Sequence, residues 1–216
     1  PCINAMKTHA EFGTTRGMTP TCRDNIFRDP SVVTHWLRTQ AEFFDWTAGD
    51  DSFHVARIPS DVAEVIMSSV VSIMGVPIDM EFLVARLSTD TIDSDVRIHT
   101  DFGMGTTHAC VWYGTDPPEE PVSSYAGYGT AFFDHHAHGI RFRGEKDEHD
   151  RLLREDAGDL QKFNFQSLVP MKENRLVVYP SDLFHSRYPF EGWGTSQQDG
   201  RVVIVGFFSE RPQETR

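Results

Sequence analysis

The stretch VRIHTDFGMGTTHACVWYG, residues 96–114, contains two strand-like runs separated by a glycine-containing turn. Their apolar and β-branched residues predict two β-strands, VRIHTDF and THACVWYG. Because side chains alternate along a strand with a period of two, His99 and Asp101 would project to one face while Thr100 points away. An imidazole and a carboxylate on one face resemble two ligands of a metal ion, and a third ligand is then required.

The same period of two continues from Glu81 to near the end of the chain. It predicts further strands at EFLVARLS, GTAFFDH, RLVVYP and RVVIVGFF, separated by turns rich in Gly, Pro, Asp and Asn. One helical interruption, residues 147–163, is polar enough to lie on the surface. These strands predict the core of the fold.

Helical periodicity precedes the strands. It predicts helices at residues 31–46, SVVTHWLRTQAEFFDW, and 60–75, SDVAEVIMSSVVSIMG, each opened by a serine that can cap it. A chain that opens with helices and finishes in strands, without regular βαβ alternation, favours a mainly β (α+β) antiparallel sandwich or barrel buttressed by N-terminal helices.

The length and composition are those of an ordinary globular protein. With 216 residues, 39% hydrophobic and 24% charged, the chain can bury about 70% of its unfolded surface. We expect one domain spanning residues 1–216. It would comprise a loop-rich segment at 1–30, helices at 31–75 and a β-core at 81–208.

The charge and the cysteines restrict the expected partners and compartment. A net charge of −12 disfavours nucleic acid and anionic membranes, which bind clustered Lys and Arg. Cys2, Cys22 and Cys110 form no even-numbered disulfide framework, so we expect reduced thiols and a cytoplasmic location. Neither a membrane-spanning segment nor a signal peptide is expected.

A third ligand is available in YPSDLFHSRYPFEGWG, where His185 follows the strand RLVVYP and a short turn. Two histidines and one carboxylate form the facial triad of non-haem iron, which leaves coordination positions open. An HxD motif alone is usually structural. The order of His99, Asp101, His185 and a late basic strand makes a metal site the favoured interpretation.

This ordered set resembles the Fe(II)/2-oxoglutarate-dependent dioxygenases, whose core is a double-stranded β-helix, or jelly roll. GYGTAFFDHH is similar to the glycine-rich segment of prolyl-hydroxylase-like members, and GRVVIVGFF is similar to their closing strand. MKENRLVVYPSDLFHSR and DNIFRDPSVV resemble a compact bacterial branch whose members are mostly uncharacterised. The resemblance covers about residues 24–208.

The resemblance implies a role for each matched position. Iron would be held by His99, Asp101 and His185, and 2-oxoglutarate would chelate it. The far carboxylate of 2-oxoglutarate would pair with Arg201, with Arg187 as the rival, because a guanidinium can bind a carboxylate bidentately. Hydroxyl donors to the cosubstrate are expected among three further residues: Tyr113, Thr130 and Tyr179.

The implied reaction consumes O2 and 2-oxoglutarate, releases succinate and CO2, and oxidises a substrate C–H bond. Hydroxylation is the default because Asp101 retains the carboxylate that related halogenases replace with a small residue. We expect a small-molecule substrate, such as an amino acid or derivative, bordered by basic and aromatic residues outside the core strands: Arg23, Arg28, Tyr188 and Trp193.

Several alternatives stay open at this stage. The fold could serve a protein side-chain hydroxylase, a cupin-like metal enzyme without 2-oxoglutarate, or a non-catalytic ligand-binding jelly roll. His135, His136 and His138 in DHHAHG could bind zinc or nickel, although a solvated turn is the favoured interpretation. His108 is expected to be a polar neighbour on its strand. Arg201, taken alone, could be an ordinary surface residue.

Overall fold

Ten strands and three helices are present in the part of the chain that the structure, a computed structural model, describes: residues 19–48, 51–92, 97–118 and 127–211. In chain order they are β1 (Thr21–Asp24), α1 (Pro30–Thr39), β2 (Phe44–Ala48), β3 (Asp51–Arg57), α2 (Ser60–Met74), β4 (Ile78–Ser88), β5 (His108–Tyr113), β6 (Gly129–His135), α3 (Lys146–Glu155), β7 (Phe163–Pro170), β8 (Arg175–Pro180), β9 (His185–Tyr188) and β10 (Arg201–Glu210).

The strands form two antiparallel sheets. The larger has the order β1-β8-β5-β10-β4-β3-β2, and the smaller has the order β7-β6-β9. The many crossings between non-consecutive strands are those of a jelly roll. The mainly β fold predicted from the sequence is therefore confirmed.

The larger sheet packs its two faces against different partners because its side chains alternate. On β10, Ile204 and Phe208 lie in one apolar cluster with α1 and α2, whereas Val203 lies in the cluster between the sheets. Leu37 and Ile66 supply fully buried helical contacts to the outer face. The helices cover the outer face and leave the inner face for the site.

Two predicted helices extend too far. The helix predicted over residues 31–46 ends at Thr39, and Phe44–Ala48 pairs with β3 instead. Aromatic and β-branched residues favour a strand when a cross-strand partner is available, and Trp46 stands opposite Phe53. The helix predicted over 147–163 ends at Glu155, after which β7 pairs with β6.

Two short strands were also missed because their partners are distant in sequence. β1 lies in the segment expected to be loop and pairs with β8, while β9 begins at His185 and pairs with β6. Residues 1–18 of the expected N-terminal loop lie outside the described residues.

The two described cysteines differ in oxidation state. Cys110 is a free, buried thiol whose pKa is raised by burial to about 12. Cys22 is disulfide-bonded. The expectation of reduced thiols is thus met by Cys110 and not by Cys22. Among the described residues, the helices all fall short of the length and hydropathy that crossing a membrane requires.

A partly buried ion pair joins β1 to β8 and predicts an acid-sensitive contribution to stability. Asp24 accepts hydrogen bonds from Arg175 (Nε, 2.7 Å; Nη2, 3.1 Å) and from Lys172 Nζ (2.9 Å). These partners, Arg175 first, lower the pKa of Asp24 from 3.8 to about 2. Because the pKa is depressed in the folded state, the contribution is present above pH 3.8 and is lost as the pH falls through about 2.

Asp24→Asn is therefore expected to lower the free energy of unfolding by about 1 kcal/mol at neutral pH, the value allowing for solvent screening. The difference from the parent protein should shrink toward zero as the pH approaches about 2, as urea unfolding across a pH series would measure. Glu173→Gln, at an exposed neighbouring position, is the control. A difference that stays constant with pH would contradict the ion-pair explanation.

Candidate metal centre

Backbone pairing brings the two histidines together. His99 and His185 form an isolated antiparallel bridge, in which His99 N donates to His185 O (3.0 Å) and His185 N donates to His99 O (2.8 Å). Residues opposite each other in such a bridge present their side chains on the same face. The two imidazole centroids are accordingly 4.5 Å apart.

Asp101 reaches the same point through a turn. Its backbone has φ −88° and ψ 14°, and it precedes a short 3-10 helix, Phe102–Met104. Its N–H donates to Ser181 O at 2.7 Å, which fixes the turn against the loop before β9. The prediction of a continuous strand over VRIHTDF is wrong in this part, although its consequence, His99 and Asp101 side by side, is confirmed.

The three side chains converge on one point. Asp101 Oδ1 lies 3.6 Å from His99 Nε2, and Asp101 Oδ2 lies 3.3 Å from His185 Nε2. All three donor atoms lie within 4.8 Å of one another. Among the described residues, this is the one group of at least three His, Cys, Asp or Glu side chains close enough to hold a metal ion.

Hydrogen bonds orient both imidazoles toward the centre. His99 Nδ1 lies 3.1 Å from Arg97 O, and His185 Nδ1 lies 2.9 Å from Leu183 O. A carbonyl oxygen only accepts, so each Nδ1 must carry a proton and each Nε2 points toward the centre. Burial, together with the neighbouring His185, holds the pKa of His99 well below its ordinary value, so this ring is neutral. Neutral rings held in this way are suited to metal ligation.

The carboxylate supplies a test of whether a cation fits. Asp101 is buried, and its Oδ2 has no hydrogen-bond partner among the described residues. Burial raises the pKa of Asp101, and the effect is opposed by the neighbouring His185. A buried oxygen of this kind is costly unless something compensates it. A divalent cation between the three donors would do so, and two imidazoles with one carboxylate are the ligand set of non-haem Fe(II).

Four of the five residues expected to hold 2-oxoglutarate lie around one small cavity beside the triad. Arg201 and Arg187, together with Thr130 and Tyr179, line a space of about 70 Å³ that the triad also borders. Arg201 is buried, and its guanidinium carbon lies 5.9 Å from the ring centroid of Tyr113. The structure thus brings this predicted set together around the metal centre.

The side chains of Thr130 and Tyr179 border that cavity, and the hydroxyl of Tyr113 contacts that of Thr130. Tyr113 Oη and Thr130 Oγ1 are 2.5 Å apart, and Tyr179 Oη lies 3.1 Å from His185 Nε2. Burial, reinforced by the nearby Asp101, raises the pKa of Tyr179 well above its ordinary value, so the hydroxyl stays protonated and able to donate.

Arg86 was missed by the sequence analysis. It lies on β4 opposite Val203, borders the triad cavity and also lines the larger cavity described next. Its guanidinium carbon stands 4.5 Å from the ring centroid of Phe53. The pattern of EFLVARLS could have indicated it. Arg86 follows Phe82 and Val84 at intervals of two residues, so its side chain lies on the same inward face of the strand.

A larger cavity of about 480 Å³ opens beside His99 and Asp101. Its walls come from β2, β3, β4, β10, the turn after Asp101, and α3. Cavities of this size hold small-molecule ligands. It is the candidate substrate pocket.

The four residues expected to border the substrate lie elsewhere. Arg23 is exposed on the edge strand β1, and Arg28 lines a separate depression with Asn174. Trp193 packs edge-on against Tyr128 at 5.0 Å, and Tyr188 packs against Phe165 at 5.8 Å. The positions of these side chains do not support that expectation. Contacts with residues distant in the sequence decide where these side chains lie.

Three of the other histidines, His135, His138 and His108, have structural partners. His135 is buried at the end of β6, with Nε2 3.2 Å from Asp156, and the following residues form a tight turn to Gly139. His138 stacks beside it, with centroids 4.9 Å apart. His108 packs against Phe208 at 5.4 Å, as expected of a polar neighbour on its strand.

Comparison with known proteins identifies the fold. No family model matches the sequence, and no curated protein matches it. Two solved structures from nogalamycin biosynthesis are similar. They are the non-haem α-ketoglutarate-dependent epimerase SnoN (TM-score 0.54, 13% identity, 91% of this chain and 80% of that chain) and the carbocyclase SnoK (TM-score 0.55, 15% identity, 93% and 85%). A second SnoN structure contains Fe3+, α-ketoglutarate and nogalamycin RO (TM-score 0.52, 14% identity, 91% and 82%). At these identities the similarity shows that the chain has their fold.

Proposed function

We propose that this protein is a non-haem Fe(II)- and 2-oxoglutarate-dependent oxygenase that oxidises a C–H bond of a small molecule. The observation that carries the proposal is the buried His99, Asp101 and His185 cluster, whose partnerless carboxylate oxygen borders an arginine-lined cavity. The fold shared with SnoN and SnoK supports it, since those proteins depend on α-ketoglutarate.

Each part of the chain has a task in this proposal. His99, Asp101 and His185 would hold the iron, and Arg201 would pair with the far carboxylate of 2-oxoglutarate. When bound, iron supplies the oxidising chemistry: 2-oxoglutarate and O2 become succinate and CO2 as one oxygen atom enters the substrate. Tyr179 would donate a hydrogen bond at the centre. The apolar walls would exclude water from the reacting atoms.

The alternatives are less well supported. A cupin-like site usually gathers more histidines, whereas among the described residues this centre contains two. A halogenase lacks the carboxylate that Asp101 supplies. A cavity of about 480 Å³ suits a small molecule and favours one larger than a free amino acid. The small molecule bound in the SnoN structure, nogalamycin RO, also supports a substrate of this kind.

The test is the addition of Fe(II) and 2-oxoglutarate to the purified protein without oxygen. We expect a weak visible charge-transfer band, which should be absent when Fe(II) is omitted or succinate replaces 2-oxoglutarate. Admission of O2 should then produce succinate, measured by mass spectrometry. A folded protein that shows neither the band nor succinate formation would exclude the proposal.

A further inference from the structure

Four aromatic side chains form a continuous wall on one side of the larger cavity. Trp46 lies 5.9 Å from Phe53 and 5.2 Å from Phe82, and Phe82 lies 6.0 Å from Phe207, measured between ring centroids. Neighbouring rings are tilted by 31–32° at each step. The four residues come from β2, β3, β4 and β10, and we call them the aromatic wall.

The aromatic wall is accessible where an ordinary core would be closed. Each of its four side chains is only partly buried, and each lines the cavity of about 480 Å³. Aromatic side chains add the geometry of ring stacking to ordinary apolar burial, so such a surface favours flat, unsaturated partners. Arg86 stands over Phe53 and also borders the triad cavity, so the wall continues to the metal centre.

The lining of the same cavity also carries positive charge. Its lining includes Arg97 before His99 and, on α3, Lys146, Asp150 and Arg154. Lys146 Nζ is paired with Asp150 Oδ2 at 2.6 Å, so these two charges largely cancel. Cations outnumber acids in this lining, which contains Arg86, Arg97, Lys146 and Arg154 beside Asp101 and Asp150, on a chain whose net charge is −12. We call Arg97 and Arg154 the cationic rim. A local reversal of sign attracts an anionic group to that place.

We propose that the substrate is a planar aromatic or polycyclic molecule carrying an acidic group. Its ring system would lie on the aromatic wall, and its acidic group would face the rim of Arg97 and Arg154. The proposal rests on the proposed function and deepens it, because the same pocket borders His99 and Asp101.

Three matched probes test this assignment by calorimetry on the anaerobic protein with Fe(II) and 2-oxoglutarate, and on the protein alone. They are 2-naphthoate, its neutral amide, and the fully saturated decahydronaphthalene carboxylate. We expect 2-naphthoate to bind about five-fold more tightly than the amide, from the exposed charge. It should also bind about five-fold more tightly than the saturated acid, from ring stacking.

Variants locate the two preferences. Phe53→Leu should remove most of the preference for the flat ring, and Arg154→Gln should remove most of the preference for the acid. Phe165→Leu and Arg151→Gln are matched controls, because both residues are exposed and lie outside the cavity. Trp46→Leu replaces Phe53→Leu if circular dichroism shows the latter to be unfolded.

The outcomes separate this proposal from the previous one. Three outcomes would overturn the proposed substrate class. The flat and saturated acids could bind equally, 2-naphthoate could show no saturable binding at millimolar concentration, or both preferences could survive in the two variants. Succinate production is measured separately. A protein that shows both preferences and never converts 2-oxoglutarate would retain the ligand class and lose the proposed oxygenase activity.

Discussion

Replacing His185 with alanine is expected to abolish stoichiometric Fe(II) binding. The imidazole provides one of three donor atoms that lie within 4.8 Å of one another, and its loss leaves a two-donor site. Removal of an outer partner of a metal ligand typically costs 10- to 100-fold in affinity, so the loss of a ligand should cost at least about 100-fold. Metal content after reconstitution and gel filtration, determined by elemental analysis, measures the effect.

His136→Ala is the matched control because His136 is exposed in the turn after β6 and belongs to no metal-competent cluster of the described residues. It should retain the metal content of the parent protein. Thermal unfolding provides a second readout: Fe(II) should raise the Tm of the parent and of His136→Ala but not that of His185→Ala. Full iron occupancy in a folded His185→Ala variant would show that the metal is held elsewhere.

Local patterns in the sequence were sufficient to predict much of the metal centre. The period-two runs located β4, β5, β6, β8 and β10, and each of these strands contributes residues to the lining of the triad cavity. The spacing of His99 and Asp101 identified two ligands even though Asp101 sits in a turn. His185 was a candidate because it follows a predicted strand and a short turn, whereas the choice of Arg201 needed the resemblance to a known family, because nothing local distinguishes it from an ordinary residue.

The substrate pocket was not predictable in the same way. Trp46 was assigned to an amphipathic helix, since its spacing from Trp36 and Phe43 suits one. It becomes part of the cavity wall because β2 pairs with β3, a contact that tertiary structure decides. Tyr188 and Trp193 were assigned to the opening because they are aromatic and lie near His185 in sequence. Both instead pack against other aromatic residues.

The guanidinium groups of the two candidate arginines have different surroundings. Arg187 Nε donates to Phe190 O at 2.6 Å and its Nη1 donates to Ser88 Oγ at 3.3 Å, so its guanidinium is tied to the segment after β9. Arg201 heads the inward-facing row of β10, is buried, and stands over Tyr113, whose hydroxyl contacts Thr130. This surrounding of aromatic ring and hydroxyls suits a bound carboxylate, which favours Arg201 as its partner.

Arg201→Ala is therefore expected to raise the Kd of 2-oxoglutarate by about 10- to 100-fold, the equivalent of a lost charge-assisted contact of about 1.5 to 3 kcal/mol. Iron content should be unchanged. Arg201→Lys should lie between the parent and Arg201→Ala, because an ammonium group keeps the charge and loses the planar fork. Anaerobic titration of the visible charge-transfer band with 2-oxoglutarate measures all three proteins.

Arg187→Ala is the companion variant. It should chiefly lower stability, by about 1 kcal/mol for the lost hydrogen bonds, with a smaller change in the Kd of 2-oxoglutarate. The reverse result, a large loss of 2-oxoglutarate affinity in Arg187→Ala and little in Arg201→Ala, would move the cosubstrate carboxylate from β10 to β9. Both arginines border the same cavity as the triad, so either outcome leaves the metal centre in place and decides from which strand the cosubstrate is held.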